Sequence, residues 1–291
     1  MSFSYWTTPQ NRNVFKNLMR FYIVFLNGCV FLIIVTNDDG IYSKGIKTLY
    51  GAAVEVFGEE NVAVVAPSGP RSASGMSLTF HKPLRIEKVI MPGIKGFSVS
   101  GTPADCVFIS MYHIFKNKKI ELVLSGVNNG SNASLQAIES SGTVSAVKFG
   151  AVHGIKGIAF SLATEMGLQR RTFSNVKMHI IKILNSIKEK GFPSDIDMLN
   201  VNFPTTLNSS TKMKICDLED ALFDNFVNER TDPSNKLYYW LGGTLKKRFK
   251  KGSDCYELFI KKSIAVSPME LASINPDLKK EIAQILDASI A

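Results

Sequence analysis

Residues 31–35, Phe-Leu-Ile-Ile-Val, form an unbroken run of branched and aromatic side chains, the pattern of a strand buried on both faces. Behind it, Ile46, Leu49, Tyr50, Ala53 and Phe57 recur at helical spacing and predict an amphipathic helix ended by Gly58. Residues 62–66 form a second apolar run, stopped by Pro67. Strand, helix and strand in that order predict a parallel pair joined by a right-handed crossover. The alternation continues. Apolar runs recur at 122–124, 157–162 and 199–203, and helical patterns occupy 103–114, 144–152 and 172–190. Residues 78–80, 84–89 and 97–100 predict a β excursion between the second and third runs. The fold class is therefore α/β, a Rossmann-like three-layer core with a mostly parallel sheet.

Past about residue 205 the alternation stops. Residues 212–216, 237–241 and 255–265 predict short strands of a C-terminal antiparallel β arm, and 277–290 a terminal amphipathic helix. The expected division is an N-terminal extension at 1–30, the Rossmann-like core at 31–205, and an oligomerisation arm with the C-terminal helix at 206–291. Residues 21–35 are nearly all apolar and follow Arg12, Lys16 and Arg20. This run is interrupted by Asn27-Gly28, falls short of the roughly 20 residues a spanning helix needs, and leads straight into the first strand. No membrane association is expected from it.

The net charge of +9 sits largely in the N-terminal stretch and in Lys246, Lys247, Arg248, Lys250 and Lys251. Both clusters read as solvated surface, and no nucleic-acid partner is expected. The four cysteines are scattered with no CxxC pair, which excludes a zinc ribbon. Cys29 and Cys106 lie in apolar stretches and read as core. Nothing demands an oxidising compartment, so a cytoplasmic location is expected.

Candidate chemistry enters where the strands end. The first runs into Asn37-Asp38-Asp39-Gly40. Two adjacent carboxylates at the end of a buried strand repel each other and resist desolvation, which a hard divalent cation would offset. A solvated turn would use the same residues. The second strand leads to Arg71-Ser72-Ala73-Ser74-Gly75, either a flexible loop or a source of neutral oxygen for a metal or phosphate. The third opens into Ser125-Gly126-Val127-Asn128-Asn129-Gly130-Ser131-Asn132. There Asn128 offers a carbonyl oxygen to a cation or an amide to a phosphate, in a loop whose Asn-Gly also suits plain turning. Ser141-Gly142-Thr143 starts a helix, where hydroxyls, amides and the positive dipole end suit an anion or serve as ordinary caps. In a parallel sheet these loops share the carboxyl edge, where ligands bind. That shared edge favours the metal reading. Oxygen ligands suit Mg²⁺, Mn²⁺ or Ca²⁺ rather than zinc, and a metal beside an anion site suggests metal-assisted phosphoester hydrolysis. The chain has no P-loop, GxGxxG or GxSxG motif.

Several stretches together resemble the SurE family of survival proteins. They are Val35-Thr36-Asn37-Asp38-Asp39-Gly40-Ile41, Arg71-Ser72-Ala73, Gly101-Thr102-Pro103-Ala104-Asp105-Cys106-Val107, Ser125-Gly126-Val127-Asn128, Ser141-Gly142-Thr143-Val144, Asn200-Val201-Asn202-Phe203-Pro204 and Val266-Ser267-Pro268. The resemblance runs from about 31 to 270 in the family's order. It implies a metal-dependent phosphomonoesterase, a 5′- and/or 3′-nucleotidase that hydrolyses nucleoside monophosphates with metal-activated water. A non-catalytic nucleotide-binding regulator is the alternative. It implies one divalent ion per subunit, Mg²⁺ or Mn²⁺ with Ca²⁺ as a substitute, on Asp38, Asp39, Ser72 and Asn128. Asp38, Asp39 and Asn128 carry the catalytic expectation; Asn128, Asn132, Ser141, Gly142 and Thr143 carry the phosphate. It also implies a homodimer or homotetramer built through the arm. The chain departs from the family pattern at Met76 and Ser131, which flank the expected pocket, and residues 1–30 have no family counterpart.

Overall fold

The structure is a computed structural model that describes residues 31–163 and 173–271, together with 282, 283 and 285. The expectation of a terminal helix falls almost entirely outside those residues. The predicted alternation is present. Strand β1 (Phe31–Thr36) leads to helix α1 (Lys44–Phe57) and strand β2 (Val62–Pro67). A hairpin of β3 (Ile86–Met91) and β4 (Ile94–Val99) follows, then helix α2 (Pro103–Ile109) and strand β5 (Lys119–Asn129). Next come helices α3 (Leu135–Ser140) and α4 (Gly142–Val152), strand β6 (Lys156–Leu162), helix α5 (Phe173–Lys190) and strand β7 (Met198–Phe203).

Nine strands make one sheet in the order β3-β4-β2-β1-β5-β6-β7-β11-β8, where β8 is Met213–Ile215 and β11 is Ile264–Met269. From β4 to β7 all neighbours are parallel. Its central strands are covered on both sides, which is why they read as continuous apolar runs. Helices α1 and α5 share one core with Ile33, Val35, Leu124 and Phe160. On the other face α2 and α4 pack over Val123, Ala159 and Met198. Among the described residues, no helix is long and apolar enough to cross a membrane.

After β7 the chain both rejoins the sheet and leaves it. Strand β8 (Met213–Ile215) pairs parallel with β11 (Ile264–Met269), which runs antiparallel to β7. Between them, β9 (Phe223–Thr231) and β10 (Leu237–Leu245) form a separate antiparallel ribbon. Every residue of the ribbon is exposed except half-buried Gly242.

Some local expectations differ from the structure. Residues 78–80 are not a strand; Phe80 is 84% exposed and gains nothing from pairing. The run 255–265 divides into a wide helical turn, Tyr256–Ile260, and the start of β11. The expected loop after residue 124 is strand as far as Asn129, with a register break between Ser125 and Asn128. Gly126 sits in that break at φ 128°, where a Cβ would lie 2.2 Å from the Phe160 carbonyl oxygen. Strand β9 and helix α3 were not expected.

Candidate active site

The ends of β2, β1 and β5 lie side by side, so the loops that follow them converge on one edge of the sheet. The turn after β1 is stapled from within. Asn37 Nδ2 donates to the Gly40 carbonyl at 3.1 Å and to Ser43 Oγ at 2.8 Å. Ser43 in turn caps α1 by accepting from the Ile46 N–H. Gly40, at φ 95°, turns the chain tightly against the Gly69 backbone. This fixes the two carboxylates with little freedom.

Asp38 points inward and is 5% exposed, while Asp39 is half-buried. The Thr143 hydroxyl donates to Asp38 Oδ1 at 2.5 Å, across 105 residues of sequence. Burial pushes the Asp38 carboxyl up from 3.8 to about 6, the Thr143 hydrogen bond opposes this, and the Asp39 charge adds to it. The Thr143 backbone also works against the rise, since the start of α4 turns its positive dipole end on this carboxylate. Asp39 Oδ2 accepts from the Asn129 N–H at 3.1 Å, which joins it to the end of β5.

Ser72 and Asn128 each lie one residue from a backbone N–H that bonds this pair. Ser72 is exposed, next to Arg71, whose N–H donates to the Asp38 carbonyl at 2.7 Å. Asn128 is half-buried and its Nδ2 donates to the Gly130 carbonyl at 2.8 Å. Asn132 sits deeper: its Nδ2 donates to Ser161 Oγ and its N–H to Asn202 Oδ1, both at 2.8 Å. Ser141 is buried and its Oγ caps the Val144 N–H. Gly142 packs where a Cβ would stand 2.9 Å from Asp38 Cβ and 2.6 Å from Ser74 Oγ.

Two residues that sequence reasoning passed over belong to this cluster. Among the described residues, Ser74 carries a buried hydroxyl without a hydrogen-bond partner, and Asn37 has its Oδ1 in the same condition. Ser74 stands in the hydroxyl-rich stretch beside Ser72, a signal that pointed to the loop without choosing between its serines. Arg71 anchors the same loop. Its guanidinium donates to the Gly101 and Ser100 carbonyls at 3.1 and 3.2 Å, which ties the loop to the end of β4.

The donor set fits a hard cation. No group of three His, Cys, Asp or Glu gathers among the described residues, so a soft or histidine-rich site is not built here. The edge instead offers two adjacent carboxylates, one raised well above its ordinary value by burial, and neutral oxygens nearby.

A carboxylate pair at the carboxyl edge of a parallel sheet, facing the start of a helix, places the chain among α/β proteins that bind an anionic ligand at the switch in strand order. The comparisons give the particular family: the chain belongs to the SurE family, whose profile, described as Survival protein SurE, matches residues 33–225. It is 39% identical over 248 residues to a 5′-nucleotidase SurE of Picrophilus torridus, covering 85% of this chain and 94% of the relative. It is 41% identical over 244 residues to a 5′-nucleotidase SurE of Hyperthermus butylicus, covering 82% and 84%. A crystal structure of SurE protein from Aquifex aeolicus superimposes with a TM-score of 0.74 at 32% identity, covering 88% of this chain and all of that one.

Proposed function

We propose that the protein is a metal-dependent nucleotidase that hydrolyses nucleoside monophosphates to nucleoside and phosphate. The observation that carries this is the Asp38–Thr143 contact. It sets a buried carboxylate against the start of a helix, on the edge where the loops after three adjacent strands meet.

In this reading Asp38, Asp39, Ser72 and Asn128 would hold one Mg²⁺ or Mn²⁺ ion. A bound divalent cation would polarise the phosphoryl group and lower the pKa of water. The chain's own residues do the rest. Asp38 or Asp39 accepts the proton that the attacking water loses. As the water oxygen bonds to phosphorus, the ester bond breaks and the sugar oxygen leaves, taking up a proton. Asn128, Asn132 and the Ser141-Gly142-Thr143 segment orient the phosphate. Thr143 also holds Asp38 in its ionised form, since a hydrogen bond to the charged state favours that state.

The exposed ribbon supports a homodimer or homotetramer built through the arm at 206–291. Trp240 is 60% and Leu241 87% exposed on a two-stranded ribbon, a form marginal in water by itself. A cytoplasmic location completes the reading.

The test is phosphate release from AMP, GMP and 3′-nucleotides with Mg²⁺, Mn²⁺ and EDTA. Turnover with metal is expected, lost in EDTA and lost by about a hundredfold or more in Asp38→Asn. Nucleotide binding without release under every metal would establish the non-catalytic alternative instead.

A further inference from the structure

The segment between the carboxylates and α1 presents a large aromatic side chain that the site chemistry does not use. Tyr42 lies three residues after Asp39 and is 62% exposed. No ring contact or hydrogen bond of its side chain occurs among the described residues. Its neighbours are fixed on both sides. Ile41 is fully buried and its N–H donates to the Pro67 carbonyl at 2.9 Å, while the Ser43 N–H donates to the Gly40 carbonyl at 3.1 Å.

Two further contacts place this turn. Before Tyr42, Asp39 Oδ2 accepts from the Asn129 N–H at 3.1 Å. After it, Gly45 packs so closely on β5 that a Cβ would stand 2.0 Å from the Val127 carbonyl oxygen. The turn that carries Tyr42 is thus held to β5 at residues 127 and 129, on either side of Asn128. An aromatic ring held open to water on a turn that follows the two carboxylates has lost hydrophobic burial and gained nothing from the fold. The same rigid turn gives it a low entropic cost of engaging a flat ligand.

We infer that Tyr42 is a specificity-determining residue that stacks on the base of the nucleotide. This rests on the nucleotidase reading of the site and names its substrate class as phosphomonoesters bearing a flat aromatic base, in preference to plain sugar phosphates. Stacking tolerates any base, because each has a π-face, so the preference extends to purines and pyrimidines alike. The contact is remote from phosphorus and equal in ground and transition states. It therefore lowers KM and leaves kcat alone.

The test compares AMP with ribose 5-phosphate, the same phosphoester without the base, in wild type, Tyr42→Ala and Tyr42→Phe with Mn²⁺. Tyr42→Ala is expected to raise KM for AMP by about five- to a hundredfold, the range of one base–aromatic stack. Its kcat on AMP and its kinetics on ribose 5-phosphate stay unchanged, and Tyr42→Phe keeps the wild-type KM. A wild type that prefers AMP, with a Tyr42→Ala variant that keeps the whole preference, overturns the assignment and leaves the nucleotidase reading standing. Equal losses on both substrates also overturn it. A wild type that cleaves ribose 5-phosphate better than AMP overturns the nucleotide reading and the Tyr42 assignment together.

Discussion

Replacing Gly142 by alanine tests whether close packing holds Asp38 in its working position. The added methyl would stand 2.6 Å from Ser74 Oγ, 2.9 Å from Asp38 Cβ and 3.2 Å from Pro103 Cγ. Carbon atoms rest at about 3.5–4.0 Å, so Asp38 must retreat by roughly 0.6–1 Å. Gly142 opens a helix, where alanine gains about 1 kcal/mol in propensity, while overpacking costs about 1–3 kcal/mol. The net loss of stability is then at most about 2 kcal/mol, a shift of a few degrees in Tm. Catalysis is less forgiving: a displacement near 1 Å costs on the order of a hundredfold. Activity should therefore fall far more than stability. Gly150→Ala is the control, in the same helix but against Val123 Cγ2 at 2.9 Å. It should lower Tm by a comparable amount and leave kcat unchanged. Phosphate release and thermal melts on both variants decide the matter. A Gly142→Ala enzyme within twofold of wild-type kcat/KM would refute the idea that this contact sets the position of Asp38.

Three further outcomes follow from the geometry. In metal-free protein Asp38 titrates near 6 when folded and near 3.8 when unfolded, so the unfolded chain loses its proton first. The contribution of Asp38 to stability is fullest below pH 3.8, falls by about 3 kcal/mol as pH rises through 6, and is level above; Asp38→Asn in EDTA should remove that fall and melt higher than wild type at pH 7. Asp254 is buried and accepts from the N–H groups of Ser134, Glu219 and Cys255 at 2.7, 3.0 and 2.7 Å. Urea titration should show Asp254→Ala losing about 3–5 kcal/mol, since two buried donors and one half-buried donor lose their acceptor, and Asp254→Asn losing less. Trp240→Glu puts a charge on the exposed ribbon and should shift the protein toward monomer in size-exclusion chromatography, with little change in the Tm of the core.

Strands β1 and β2 and helix α1 were readable because burial on both faces and a strong apolar stripe leave clear periods in the sequence. Helix α3 was not. It has six residues, too few for a period, and its cap Ser134 stands at φ 82°, a conformation that carries no sequence signal. Its first amides are satisfied from afar: Leu135 and Gln136 donate to the carbonyls of Glu219 and Asp220 at 2.7 and 3.0 Å. Strand β9 escaped because both its faces are exposed, which erases the alternation that marks a strand. At the site, the adjacent carboxylates and the loops on the shared edge were visible from the residues alone. The Asp38–Thr143 bond was not, because a contact across 105 positions depends on how α4 packs over the sheet. The same packing turned Thr143 from an expected phosphate donor into a partner of the carboxylate as well.

The neighbouring positions of β8 and β11 give the second half of the chain an unusual freedom. Met213 lies opposite Ile264 and Ile215 opposite Val266, so the polypeptide comes back to the place it departed from. Everything from 216 to 263 is a closed detour. Lengthening such a detour adds only about 0.6 kcal/mol of closure entropy per doubling. Its tip can vary in length and composition without moving a single register in the sheet. Its root cannot, because residues 219, 220 and 254 hold the start of α3. Changes at the tip can therefore reshape the exposed ribbon while the packing around α3 is left intact, and changes at the root alter both.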